Sequence, residues 1–149
     1  MTAKTNIGVT LGVVVGLPAT HDEAGFGALT FIDAGIVTQL PDIGGSADVS
    51  TYDPMSDGVR KKLPGVIDYG SGTITFVHDE SEAGLILLNG AFDGTNQGAD
   101  VSFELTDSAG DSVWFTSKVF SFVKVYGSTG DVIGATVNVE IDSKIVTSA

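Results

Sequence analysis

His78 and Asp79 stand side by side with Ser81 two residues on, and a hydroxyl, an imidazole and a carboxylate are the parts of an activated nucleophile. Those parts work when separate elements hold them in a hydrogen-bonded chain beside an oxyanion site, which one short run of sequence does not supply. The run reads more simply as a histidine at a strand end before a helix cap, and no catalytic residue is assigned. Asp93 to Glu104, "DGTNQGADVSFE", imitates a calcium loop, with Asp at its first position, Gly at its sixth and Glu at its twelfth. Thr95 and Gln97 are neutral where carboxylates or Asn are expected, and Glu104 falls in a predicted strand. The segment is therefore a helix-to-strand connection, and no metal is expected.

Cofactor chemistry finds no other foothold. The chain lacks cysteine, which removes disulfides, zinc-thiolate sites and thiol nucleophiles. It has no P-loop, no HExxH and no G-x-G-x-x-G leading from a strand into a helix, so no cofactor is expected.

A third cluster, Arg60, Lys61 and Lys62, has the charge to grip a polyanion. It is set in a chain of 149 residues with a net charge of −12, from 7 Lys plus Arg against 19 Asp plus Glu. The remaining bases, Lys4, Lys118, Lys124 and Lys144, are scattered among carboxylates and cannot form a broad basic face. A duplex carries roughly one negative charge per 1.7 Å, so nucleic-acid binding is not expected. Trp114, Phe115, Phe120 and Phe122 could stack bases, but only Lys118 and Lys124 interleave them. Core and subunit interface explain those aromatics better.

The elements that must carry these residues are mostly strands. Alternation from Ile7 to Val15 predicts an opening strand, and "DEAGFGALT", Asp22 to Thr30, predicts a short helix or turn. "AGIVTQLPDI", Ala34 to Ile43, reads as a strand in which Pro41 marks an edge or a bulge. Gly44 to Gly58 reads as a turn-rich segment, too long for a tight hairpin turn, with "DPMSDG" exposed at its centre. "GTITFVHD" is a strand. Asp79 to Phe92 is the main helix, capped by Asp79 or Ser81, with Ala83, Ile86, Leu87 and Ala91 as its apolar stripe. The last third is an antiparallel meander, in whose final strand Ala135, Val137, Val139 and Ile141 face a core and Thr136, Asn138, Glu140 and Asp142 face the other way. The apolar run "IGVTLGVVVGLP" is interrupted by Thr10 and glycines and is too short to span a bilayer. A chain that is 42% apolar without such a span is expected to bury surface against copies of itself.

The order of these pieces resembles the major tail proteins, or tail tube proteins, of bacteriophages with long non-contractile tails. The resemblance rests on Pro18 to Gly44, "PATHDEAGFGALTFIDAGIVTQLPDIG"; on "VRKKLPGVIDYGSGTITF" followed by "DESEAGLILLNGAF"; and on "FTSKVFSFVKVYGSTGDVIGATVNVEIDSKIV". Together these cover most of the chain. The resemblance implies a mainly β fold, a β-sandwich or open barrel of antiparallel strands with one flanking α-helix, as a single tail tube domain over 1–149. The C-terminal immunoglobulin-like domain of some relatives is expected to be absent. It implies homo-hexameric rings, stacked into a tube through which the genome passes without specific binding. It also implies tail tip, tape measure and tail terminator proteins as partners, a location in the virion after synthesis in the host bacterial cytoplasm, and no enzyme activity.

Joining sheets edge to edge would cover strand edges that otherwise stay open. A conduit for DNA should repel or ignore it, which suits the acidic balance. On this reading Glu140 and Asp142 belong to or border the lumen wall. Arg60, Lys61 and Lys62, at the root of the loop around "DPMSDG", face carboxylates of an adjacent ring. The rival expectations are a monomeric β-sandwich adhesion or virion decoration module, and a small hydrolase using His78.

Overall fold

Alternating apolar and polar residues build the centre of the fold, as the sequence predicts. The computed structural model describes residues 3–148. In it β1 (Thr10–Val15), β2 (Ile32–Asp33), β3 (Val37–Gln39), β4 (Ser46–Tyr52), β5 (Lys61–Asp68), β6 (Ser71–Val77), β7 (Val101–Thr106), β8 (Ser112–Val125), β9 (Gly134–Ile141) and β10 (Val146–Thr147) accompany two helices, α1 (Glu23–Gly27) and α2 (Ala83–Asp93). Antiparallel pairing orders one sheet as β2-β1-β7-β8-β9-β6-β3, with β10 paired to the first half of β8. β4 and β5 pair only with each other.

Strands from both ends of this order share one core. Leu11 and Val13 of β1 join Phe103, Phe115, Val137, Val139, Ile74 and Phe76, and Leu85, Leu88 and Ala91 of α2 complete the cluster. A sheet that brings β1 and β6 to one helix must curl around it. The edge strands β2 and β3 pair with no strand on their outer sides, so the barrel stays open. The mainly β expectation therefore holds, as a curled sheet with α2 packed against its core face.

α2 differs from the sequence reading at its start. Asp79 does not cap it: its Oδ1 accepts from the Ser81 backbone N–H at 2.9 Å and from the Ser81 hydroxyl at 2.7 Å, closing a turn of its own. The helix begins after Glu82, and its buried stripe is Gly84, Leu85, Leu88 and Ala91, whereas Ala83 and Ile86 are exposed. Gly84 is what lets α2 lie on the sheet edge, since a Cβ there would sit 2.5 Å from the Ala34 Cα and 2.6 Å from the Asp33 carbonyl oxygen. Gly84→Ala should therefore force α2 and β2 apart, lowering stability by about 1–3 kcal/mol in urea unfolding.

Three other segments differ. Ile7 lies in a turn and is exposed, because Gly8 at φ 86° bends the chain before β1. Of the strand expected from Ala34 to Ile43, only Val37–Gln39 pairs; Gly35 at φ 93° breaks it on one side, and Pro41, just past a register shift, ends the edge on the other. β2 and β10 are too short to leave a periodic signal. α1 forms where expected, its N-terminus capped by Asp22, which accepts from the Gly25 N–H at 2.7 Å.

The largest difference is between Gly44 and Asp68. The polar stretch read as loop contains β4, which pairs with β5 from Ser46↔Asp68 to Tyr52↔Lys61. Every β4 residue is exposed and so is β5 after Lys61. The pair is an arm standing off the body, with 53–60, including "DPMSDG", as its tip. Strands with solvent on both faces need no alternation, which is why the pattern did not reveal them.

Candidate functional site

The basic cluster lies where the arm meets its tip. Arg60 donates through Nε to Asp53 Oδ1 at 2.9 Å and through Nη2 to Asp53 Oδ2 at 3.3 Å, a forked pair that raises the Arg60 pKa. Lys61 Nζ lies 3.2 Å from Asp57 Oδ2. Lys62 has no carboxylate partner among the described residues. Two of the three bases thus brace the tip from within. Around them Met55, Val59, Leu63, Val66 and Ile67 are exposed apolar side chains on an arm too thin to bury them.

A second surface is the outer face of β6, β9 and β8. Cross-strand register sets Ser71, Glu140 and Lys118 in one row, Thr73, Asn138 and Ser121 in the next, and Thr75, Thr136 and Val123 in a third. Eight of these nine side chains are polar, against the apolar Ala135, Val137, Val139 and Ile141 on the reverse of β9. Glu140 is exposed on this face. Asp142, just past β9, is half-exposed and tied to Lys118 Nζ at 2.8 Å, while Asp100 takes the same ammonium at 2.6 Å. Those bonds, Asp100 first, hold the Lys118 pKa above its ordinary value. The face is neutral and hydroxyl-rich over most of its area, with its charges gathered at the Glu140 end. Sequence reading found Glu140 and Asp142 but not this pairing, because Asp100, Lys118 and Asp142 meet only through the β7-β8-β9 register.

These same strands have open edges. β7 stops pairing at Ser117, so β8 from Lys118 to Val125 has a ladder only on its β9 side. β3 covers β6 only at Thr75 and Phe76, leaving Ser71 to Ile74 free. Phe120, Val123 and Val125 are exposed along the open stretch of β8, and Tyr126 just past it. Trp114 and Phe115 are instead buried, Trp114 stacked on Phe26 and donating to Glu104 Oε2 at 2.7 Å. Glu104, the last position of the calcium-like run, is thus a strand residue held by an indole.

The grouping at His78 does not form a nucleophile relay. The Ser81 hydroxyl donates to Asp79, and neither ring nitrogen of His78 has a hydrogen-bond partner. The Ser81 bonds hold the Asp79 pKa below the usual carboxylate value. Asp22 is lowered chiefly by the Gly25 N–H, and Asp107 chiefly by Lys4. A carboxylate with a depressed folded-state pKa stabilises above its unfolded value, here 3.8, and loses that contribution as pH falls through the folded one. Urea midpoints should accordingly be level at neutral pH and fall below about pH 4, and Asp22→Asn should flatten that fall.

The sequence matches no known family model and no curated protein. Solved structures do match its fold. A chain of the sheath/tube terminator of an extracellular contractile injection system superposes with a TM-score of 0.67 at 14% identity, covering 100% of this chain and 99% of that one. A chain from the tail of an empty gene transfer agent particle, refined with C6 symmetry, gives 0.63 at 16%, covering 99% and 100%. The tail tube of SPP1 gives 0.61 at 13%, covering 95% of this chain and 77% of that one. The chain has the tail tube fold. Within the tail tube fold as this sequence builds it, the open-edged polar face, the exposed arm and the His78 region are surfaces available to a partner.

Proposed function

We propose that this protein is a tail tube subunit of a phage or phage-like particle, forming six-membered rings that stack into a conduit for genome DNA. The observation that carries this reading is the coincidence of open edges and polar face on β6, β9 and β8. Pairing β8 of one copy with β6 of the next satisfies both edges and extends the same face sideways, and a closed ring of such sheets is a barrel. A wall of hydroxyls and amides keeps water at its surface, and Glu140 with Asp142 adds repulsion toward a polyanion at one end. DNA then moves through the lumen without being held. Tail tip, tape measure and tail terminator proteins are the partners such a tube needs, and the assembled virion is its location. No enzyme activity is part of this role.

Negative-stain microscopy of the purified chain, alone and with a tail-tip nucleus, tests the reading. Hollow tubes or six-membered rings support it; persistent monomers at high concentration in both conditions reject it. A tube map placing Glu140 and Asp142 on the outer surface would reject their lumen assignment alone.

Arg60, Lys61 and Lys62 are assigned to the contact between rings. Their internal pairs give them two tasks, since Arg60 and Lys61 shape the tip while Lys62 is free to meet a carboxylate of the adjacent ring. Exposed pairs contribute roughly 0–1 kcal/mol each, but a ring repeats them in every subunit. Charge reversal at all three positions should leave a folded monomer by circular dichroism and stop stacking; normal tubes from that variant would refute the assignment.

A further inference from the structure

The body of the protein has a cavity whose chemistry is incomplete. It encloses about 420 Å³ where β6 leads into α2, and its lining combines Ile36 and Ile133 with His78, Asp79, Glu80 and Glu82. His78 has a side chain only 12% exposed and both ring nitrogens without a partner. Glu80 Oε1 is 4.0 Å from its Nε2, beyond hydrogen-bond reach, and the one ammonium nearby, Lys124, is 3.6 Å from that same oxygen. Three carboxylates therefore line the cavity beside an unsatisfied imidazole, and among the described residues only Glu80 has a lysine near it. A buried polar atom left without a partner costs free energy, so the site favours an incoming donor.

An ammonium suits the carboxylates of that lining: it carries three donors and no acceptor, and can serve Asp79, Glu80 and Glu82 together. Apolar atoms beside it would cover Ile36 and Ile133, both exposed. The arm tip offers both. Among the described residues Lys62 has no ion pair, Met55 is fully exposed, and no face of the arm is buried against its own body. We propose that the His78 cavity is the receptor for the arm tip of a second copy, with Lys62 entering among Asp79, Glu80 and Glu82 and Met55 covering the apolar rim. This contact rests on the tube reading and names the acidic partner of the basic cluster in it.

The absence of cysteine makes the contact directly testable, because any disulfide must come from introduced residues. The full chain carrying Met55→Cys and Ile36→Cys should give an oxidised ladder of covalent oligomers. Met55→Cys with Thr147→Cys, whose second site is on β10 opposite Val113 at the other end of β8, should give none. In parallel, Lys62→Glu or Glu82→Lys alone should lose stacking, and the two together should regain it. Tubes that assemble while the Met55/Ile36 pair stays unlinked, or that are indifferent to Glu82→Lys, would overturn the cavity as receptor and leave the tube reading standing. A wild-type chain that never assembles, with or without a tail-tip nucleus, would overturn both.

Discussion

Phe103→Ala is expected to lower the stability of the folded subunit by about 3–5 kcal/mol, a large part of the roughly 5–15 kcal/mol that holds a domain together. Phe103 is fully buried on β7 and faces Phe115 of β8 in register, their rings stacked with centroids 5.2 Å apart and 14° between planes. Both belong to the cluster that ties the sheet to α2. Removing the ring leaves a hole that the sheet can close only by breaking the register of its central ladder, because β7 is paired on both sides, to β1 and β8. Urea unfolding should show a lower midpoint with an unchanged slope. A midpoint within error of wild type would mean that the core does not depend on this pair. Phe120→Ala, an exposed aromatic on the same strand as Phe115, should scarcely change the midpoint.

That contrast shows what the sequence could and could not disclose. Ala135, Val137, Val139 and Ile141 were legible because one face of β9 is buried, and burial on one face writes a period of two into the residues. The arm was illegible for the converse reason: Ser46 to Tyr52 meets solvent on both faces, so no pattern had to form. The start of α2 was misread because Asp79 and Ser81 look like caps and do make capping-type bonds, but to one another in the turn before the helix. Of its expected stripe Ala83 and Ile86 prove exposed, while Gly84, which has no apolar side chain to mark it as buried, is the point of closest approach to Ala34.

The candidate sites divide along the same line. Arg60, Lys61 and Lys62 announced themselves by charge, whereas their division of labour did not, since Asp53 and Asp57 reach them only once the tip is folded. The polar face was half visible, as the outward residues of β9. Its neighbours Thr73 and Ser121 joined it only through strand register, and the open edges on either side depend on which strands fall short of their partners.

Replacing 46–68 with a two-residue Asn-Gly turn is expected to abolish tube formation and leave the monomer folded. Ser46 and Asp68 are paired, so the excised ends lie side by side and a short turn can join them. The arm contributes no residue to the buried core, while Ile43 and Tyr69, which flank it and pack against that core, are retained. Thermal or urea unfolding of the shortened chain should therefore stay close to wild type. Assembly should not survive, because the deletion takes away Val49, Leu63, Val66 and Ile67 together with the basic cluster, and no other described element projects an apolar surface clear of the body. The comparison with the charge-reversed variant is informative in its own right. If stacking depends on charge alone, both variants fail equally, but raised salt weakens the wild-type tube as well, since exposed ion pairs are screened over about 10 Å at 0.1 M. If burial of the arm's apolar side chains dominates, wild-type tubes persist at high salt while the shortened chain stays monomeric under every condition. Tubes of normal width and length from the shortened chain would remove the arm from the assembly altogether, and with it the role assigned to Arg60, Lys61 and Lys62.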